Sequence, residues 1–236
     1  MKKIILIIAA LSASMSLVRA QEVETESSYS VSVDFTYATT YVFRGQQLAD
    51  GTLMPSVEFS TGNFTAGIWS AQPLIDNVDN EVDFYVGYGV PLGDWALDVG
   101  LCVYYYPELD IGSGGDDATY EYYVGISGDV GGVSPGAYVY YDTTLDILTV
   151  EASAGYSVAL ESAGSSLDFS ASIGSIRPDA GSNVTYYNLG ASVPFAISET
   201  GSLTVGVNYG HNNIAGGDGY GENAHFFGTI GVSIGF

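Results

Sequence analysis

The chain has 236 residues, 27 of them acidic and only five basic, for a formal net charge of −22, and it carries one cysteine. That balance excludes nucleic-acid binding, which needs Lys and Arg against phosphate. The lone Cys102 excludes an internal disulfide framework or a cysteine-based zinc site.

The first residues read as a secretory leader. Lys2 and Lys3 precede an apolar run from Ile4 to Leu11 that is too short to span a bilayer as a helix, and Val18-Arg19-Ala20 suits cleavage. The expected division is a signal peptide over 1–20 and a single domain over 21–236. Lys2, Lys3 and Arg19 leave with the leader, so Arg44 and Arg177 face all 27 acidic residues. No lysine then remains to hold a phosphate in a P-loop.

From Tyr29 onward the apolar residues alternate. Tyr29, Val31, Val33, Phe35, Tyr37, Tyr41 and Phe43 share one parity and Asp34 and Arg44 the other, which predicts a first strand. A second puts Val57 and Phe59 on one face with Glu58 opposite, then turns at Thr61-Gly62-Asn63. The third carries Phe64, Ala66 and Ile68. The fourth sets Val82, Phe84, Val86, Tyr88 and Val90 against Glu81 and Asp83, and turns at Pro91 to Asp94. The fifth runs from Trp95 to Tyr105 with Asp98, Cys102 and Tyr104 opposite its apolar face, and the sixth sets Tyr120, Tyr122, Val124 and Ile126 against Glu121.

A weaker seventh covers Val133 to Tyr141. The eighth faces Leu148, Val150 and Tyr156 away from Glu151, and the ninth faces Leu167, Phe169 and Ile173 away from Asp168. The tenth and eleventh use Tyr187 to Phe195 and Leu203 to Tyr209. The twelfth ends at Phe236, with Ile230, Val232 and Ile234 of the same parity.

Segments of about ten alternating residues are the length of a tilted strand crossing a bilayer. The expected fold is therefore all-β, an antiparallel transmembrane β-barrel of about 12 strands. Connections after even-numbered strands are short. Those after strands one, three, five, nine and eleven are expected to be longer and polar, with the one after seven an exception. That segregation fits short periplasmic turns and longer external loops in the cell outer membrane.

The parity opposite the apolar face then lines the lumen: Asp34, Arg44, Glu58, Glu81, Asp83, Asp98, Glu121, Glu151 and Asp168. Carboxylates in a pore favour cations. An Arg44–carboxylate contact across the lumen is expected, since confined Arg takes bidentate partners. Tyr104, Tyr106, Tyr138 and Tyr140 share the lumen parity and would narrow a pore that twelve strands already make small. The acidic stretches Asp76 to Asp83 and Glu108 to Asp117 are expected as external loops. The second mixes oxygen donors with glycines, but its spacing is not that of an EF-hand, and a solvated acidic loop is favoured over a calcium site.

The stretch from Tyr41 to about Glu121 carries a resemblance. Tyr41-Val42-Phe43-Arg44-Gly45, Gly67-Ile68-Trp69-Ser70, Glu81-Val82-Asp83 with Gly87-Tyr88, and Asp98-Val99-Gly100 with Tyr104-Tyr105-Tyr106-Pro107 are similar, in order and spacing, to motifs of the TorF family of porin-like outer-membrane proteins. The match departs at Ala71, where the family pattern has Asn. It implies an outer-membrane barrel and no proven active site. The terminal Phe236 resembles the C-terminal aromatic that barrel-assembly machinery reads in such proteins.

The expected function is passive diffusion of small polar, cationic solutes, with no cofactor, and with outer-membrane lipid and the assembly machinery as partners. The alternatives are a structural or adhesive barrel with a closed lumen and a barrel hydrolase. The chain is not expected to be an enzyme, because its two histidines, His211 and His225, flank the last external loop with no nucleophile patterned to either.

Overall fold

The protein is described by a computed structural model covering residues 29–76, 78–108, 117–218 and 221–236. The expected signal peptide and most of the acidic stretch Glu108 to Asp117 lie outside the described residues.

Twelve strands form one closed antiparallel barrel: β1 (Ser30–Phe43), β2 (Gln46–Thr61), β3 (Phe64–Pro73), β4 (Glu81–Leu92), β5 (Trp95–Tyr105), β6 (Ala118–Gly128), β7 (Val133–Asp142), β8 (Ile147–Leu160), β9 (Ser165–Pro178), β10 (Val184–Ala196), β11 (Gly201–Asn212) and β12 (Ala224–Gly235). Each strand pairs with its sequence neighbours, and β1 closes the ring on β12 from Ser32↔Gly235 to Ala38↔Thr229. Closure leaves no sheet edge, as a strand structure in lipid requires.

The alternation explains the two faces. On β4, Phe84, Val86, Tyr88 and Val90 are exposed on the outside, while Glu81 and Asp83 are buried inside. Tightly joined strand pairs meet at one end of the barrel, beside Ser30 at the start of β1 and Phe236, through connections such as Gly62-Asn63 and Gly93-Asp94. The other, loop end carries the described residues 74–76, 78–80, 106–108, 117, 213–218 and 221–223. Glu81 and Asp83 therefore belong to the wall of β4, and the expected acidic loop stops short of them.

The first hairpin departs from the expected pattern. The second strand starts at Gln46, so the connection after β1 is the two-residue turn Arg44-Gly45 instead of a long loop. Both turn residues have positive φ, 45° and 73°, the geometry that joins antiparallel strands tightly. Pairing with β12 ends at Ala38, whereas pairing with β3 begins at Thr52. Between these points β1 and β2 pair with each other, with a register shift at Tyr41/Val42. Released from both neighbours and twisted by the bulge, this tip folds into the lumen. Tyr41 and Phe43, expected on the outer face by parity, are buried inside for that reason.

Candidate functional site

The buried residues concentrate at the loop end, around this tip. Arg44 reaches the far side of the ring. Its Nη1 and Nη2 donate to Glu121 Oε2 and Oε1 on β6, both at 2.9 Å, and Nη1 also donates to Thr149 Oγ1 on β8 at 3.1 Å. Its guanidinium lies 4.7 Å from the ring centre of Tyr140 on β7, so it meets three consecutive strands opposite its own. Burial disfavours the Arg44 charge, but Glu121 more than compensates and raises its pKa above the ordinary value.

The rest of the tip is held from the other side. Asn212 Nδ2 donates to Gly45 O at 2.7 Å, and the Gln47 N–H donates to Asp218 Oδ2 at 3.0 Å. A side chain at Gly45 would collide with the His211 carbonyl and with Tyr186, so close approach and positive φ both require glycine there. Asp218 Oδ2 also lies 2.6 Å from His225 Nε2, close but outside hydrogen-bond geometry. The alternation of β11 points His211 outward with Val207 and Tyr209, and that of β12 points His225 inward, opposite Phe226. His225 is indeed buried, while His211 stacks on Tyr187 at 4.8 Å.

Most of the carboxylates read from the sequence are tied to hydroxyls. Glu81 accepts from Tyr41 at 3.1 Å and Tyr106 at 3.2 Å; Glu121 accepts from Tyr104 at 2.9 Å as well as from Arg44. Burial first, and then Glu81, raises the Tyr106 hydroxyl above its ordinary pKa, which keeps it a donor. Glu58 accepts from Tyr85 at 3.0 Å, Glu151 from Tyr186 at 2.8 Å, Asp98 from Ser127 and Tyr138 at 2.8 Å each, and Asp168 from Ser157. Asp83 differs: it is fully buried, and neither carboxylate oxygen has a hydrogen-bond partner.

The lumen thus has two zones. At the loop end, Arg44, Glu81, Asp83 and Glu121 sit with the hairpin tip among Tyr41, Tyr104 and Tyr106. Toward the turn end, Asp34, Glu58, Asp98 and Asp168 lie among half-buried small polar residues such as Ser32, Ser56, Ser127 and Ser233, which form a polar vestibule. Sequence reasoning missed the inward hairpin and the Asp218–His225 contact. The available signal was the loss of alternation from Gln46 to Pro55.

Residues 22–220 match the family described as a bacterial protein of unknown function, Gcw_chp, and the chain belongs to that family. The match supports this family and gives no support to the TorF name. No curated protein matches the sequence. Among solved structures, the NanC porin superposes with a TM-score of 0.57 at 14% identity over 86% of this chain and 98% of that one. The KdgM porin gives 0.54 at 11% identity over 87% and 99%, and its complex with disordered oligogalacturonate gives 0.55 at 11% over the same shares. At these identities the likeness is one of fold: this is a porin-like barrel.

The expectation that the chain is not an enzyme is corrected. At the identities of these neighbours the likeness reaches the fold alone, which gives no ground for excluding catalysis. The structure also brings a carboxylate, Asp218, against His225.

Proposed function

We propose that the protein is an outer-membrane porin for small cationic solutes and that its hairpin tip is the closed gate. The observation that carries this reading is the charge of the lumen: the eight wall carboxylates read from the sequence, from Asp34 to Asp168, and a ninth, the buried Asp142 of β7, with Arg44 as the one guanidinium among them. Fixed carboxylates along a confined path concentrate cations and repel anions. The KdgM porin is described with oligogalacturonate, a polyanion; a solute of that sign would be repelled here. The loop end faces outward in this reading, and the polar vestibule opens to the periplasm.

The filled loop end also suits a second reading, a barrel that stays closed and presents its loops. Single-channel recording of the refolded chain in a planar bilayer under a salt gradient separates the two. Discrete steps with a cation-selective reversal potential support the porin. Anion selectivity overturns the acidic-lumen reading, and a correctly folded but silent barrel favours the closed one.

A further inference from the structure

We infer that Asp83 binds a monovalent cation of the potassium or ammonium class, held between the hairpin tip and the barrel wall. The argument begins with charge. Glu81 lies two residues from Asp83 on the same face of β4, Tyr104, the register partner of Asp83, donates to Glu121, and the cation in this zone, Arg44, is committed to Glu121 and Thr149. The groups that serve Glu81 are neutral hydroxyls. Three carboxylates therefore share one guanidinium.

The second observation concerns Asp83 alone. It has 0% exposure, and no hydroxyl, amide or guanidinium reaches either oxygen. A buried carboxylate without a donor is costly, and wild-type packing tolerates it only if something compensates the charge. The surroundings suit a weakly hydrated ion. Asp83 lies in register with Trp69 on one side and Tyr104 on the other, and Tyr41 of the hairpin packs on Trp69 with ring centres 5.6 Å apart. Aromatic faces attract monovalent cations, whereas divalent ions need a cage of several oxygens, and no metal-type cluster of three acidic, His or Cys ligands exists among the described residues. Because Tyr41 belongs to the gate, the ion would also tie the hairpin to the wall.

The inference adds a binding site to the acidic lumen on which the pore reading rests, but its test needs no current. The full chain, refolded in detergent, is unfolded thermally in potassium, ammonium, sodium and N-methylglucamine chlorides at one ionic strength and pH. The midpoint is expected to rise by roughly 2–6 °C in potassium or ammonium over N-methylglucamine, and to rise with concentration. Asp83→Asn should abolish the difference, and Glu199→Gln, in an exposed turn, should keep it. Equal midpoints in all four salts, or a cation effect surviving Asp83→Asn, overturn the site. Should Asp83→Asn not fold, the wild-type series repeated at two further pH values decides: midpoints that follow pH but not cation identity assign a proton to Asp83 instead and overturn the site. Cation-specific stability without current keeps the site and removes the pore; current without it does the reverse.

Discussion

Arg44 and Glu121 are 77 positions apart and meet across the lumen in a two-point contact, with both N···O distances 2.9 Å. The pair joins the tip of one hairpin to the opposite wall, so it is a cross-brace of the barrel as well as a charge pair. Tyr104 adds a third hydrogen bond to the same carboxylate. Both side chains are almost fully buried, so each depends on the other to offset its desolvation.

Removing one partner should therefore cost more than the pair itself contributes. Glu121→Gln leaves the Arg44 charge buried without a counter-ion and is expected to lower stability by about 3–5 kcal/mol. The double variant Arg44→Met with Glu121→Leu should recover much of that loss. Urea unfolding of the refolded barrels checks the order. In bilayers, Arg44→Ala should give larger and more cation-selective steps than wild type, because it frees the tip and removes the lumen's one guanidinium. An unchanged conductance would show that the tip is not the gate.

The vestibule makes a separate prediction. Asp98 and Glu58 are half-buried, toward the turn end, and each is oriented by a tyrosine hydroxyl. Asp98→Asn and Glu58→Gln preserve shape and remove charge, so selectivity should fall with little change in stability. The reversal potential in a fixed salt gradient should move toward zero for each, and further for the double variant.

Tyrosines also lie flat over lumen glycines. Tyr138 on β7 covers Gly125 on β6, its partner in register, so closely that a methyl group there would overlap the ring. Gly125→Ala is expected to destabilise by about 1–3 kcal/mol through overpacking. Tyr138→Ser should relieve the clash, so the double variant should lose less than the sum of the singles. Denaturation midpoints of the four proteins form the test.

The wall was legible in the sequence because its two faces meet different surroundings. Trp95 to Tyr105 alternates cleanly, and the structure keeps that parity from Leu97 outside to Cys102 and Tyr104 inside. The hairpin tip was not legible for the same physical reason: when both faces of a ribbon are buried, alternation carries no information. Gln46 to Pro55 thus read as loop, and Tyr41 and Phe43 were assigned outward. The carboxylates could be sorted to the lumen by parity, but their partners depend on register between strands. Tyr186 reaches Glu151 over 35 positions, and only the β8–β9–β10 pairing aligns them.

Orientation itself can be tested by placing one charge on each face. Val86 is exposed on the outer surface of β4 and is flanked in register by Ala66 and Leu101. In a bilayer that surface meets hydrocarbon, so Val86→Arg is expected to cost about 2–4 kcal/mol if the residue sits near the midplane. Ser172 on β9 has the opposite parity and accepts a hydrogen bond from Asn188 at 3.1 Å inside the lumen. Ser172→Lys should fold almost as well as wild type, because the ammonium remains in a wet, acidic space, and should weaken cation selectivity. Unfolding in lipid vesicles measures the first effect and bilayer recording the second. If the two substitutions exchanged roles, with Val86→Arg tolerated and Ser172→Lys destabilising, the inner and outer faces would have to be exchanged as well.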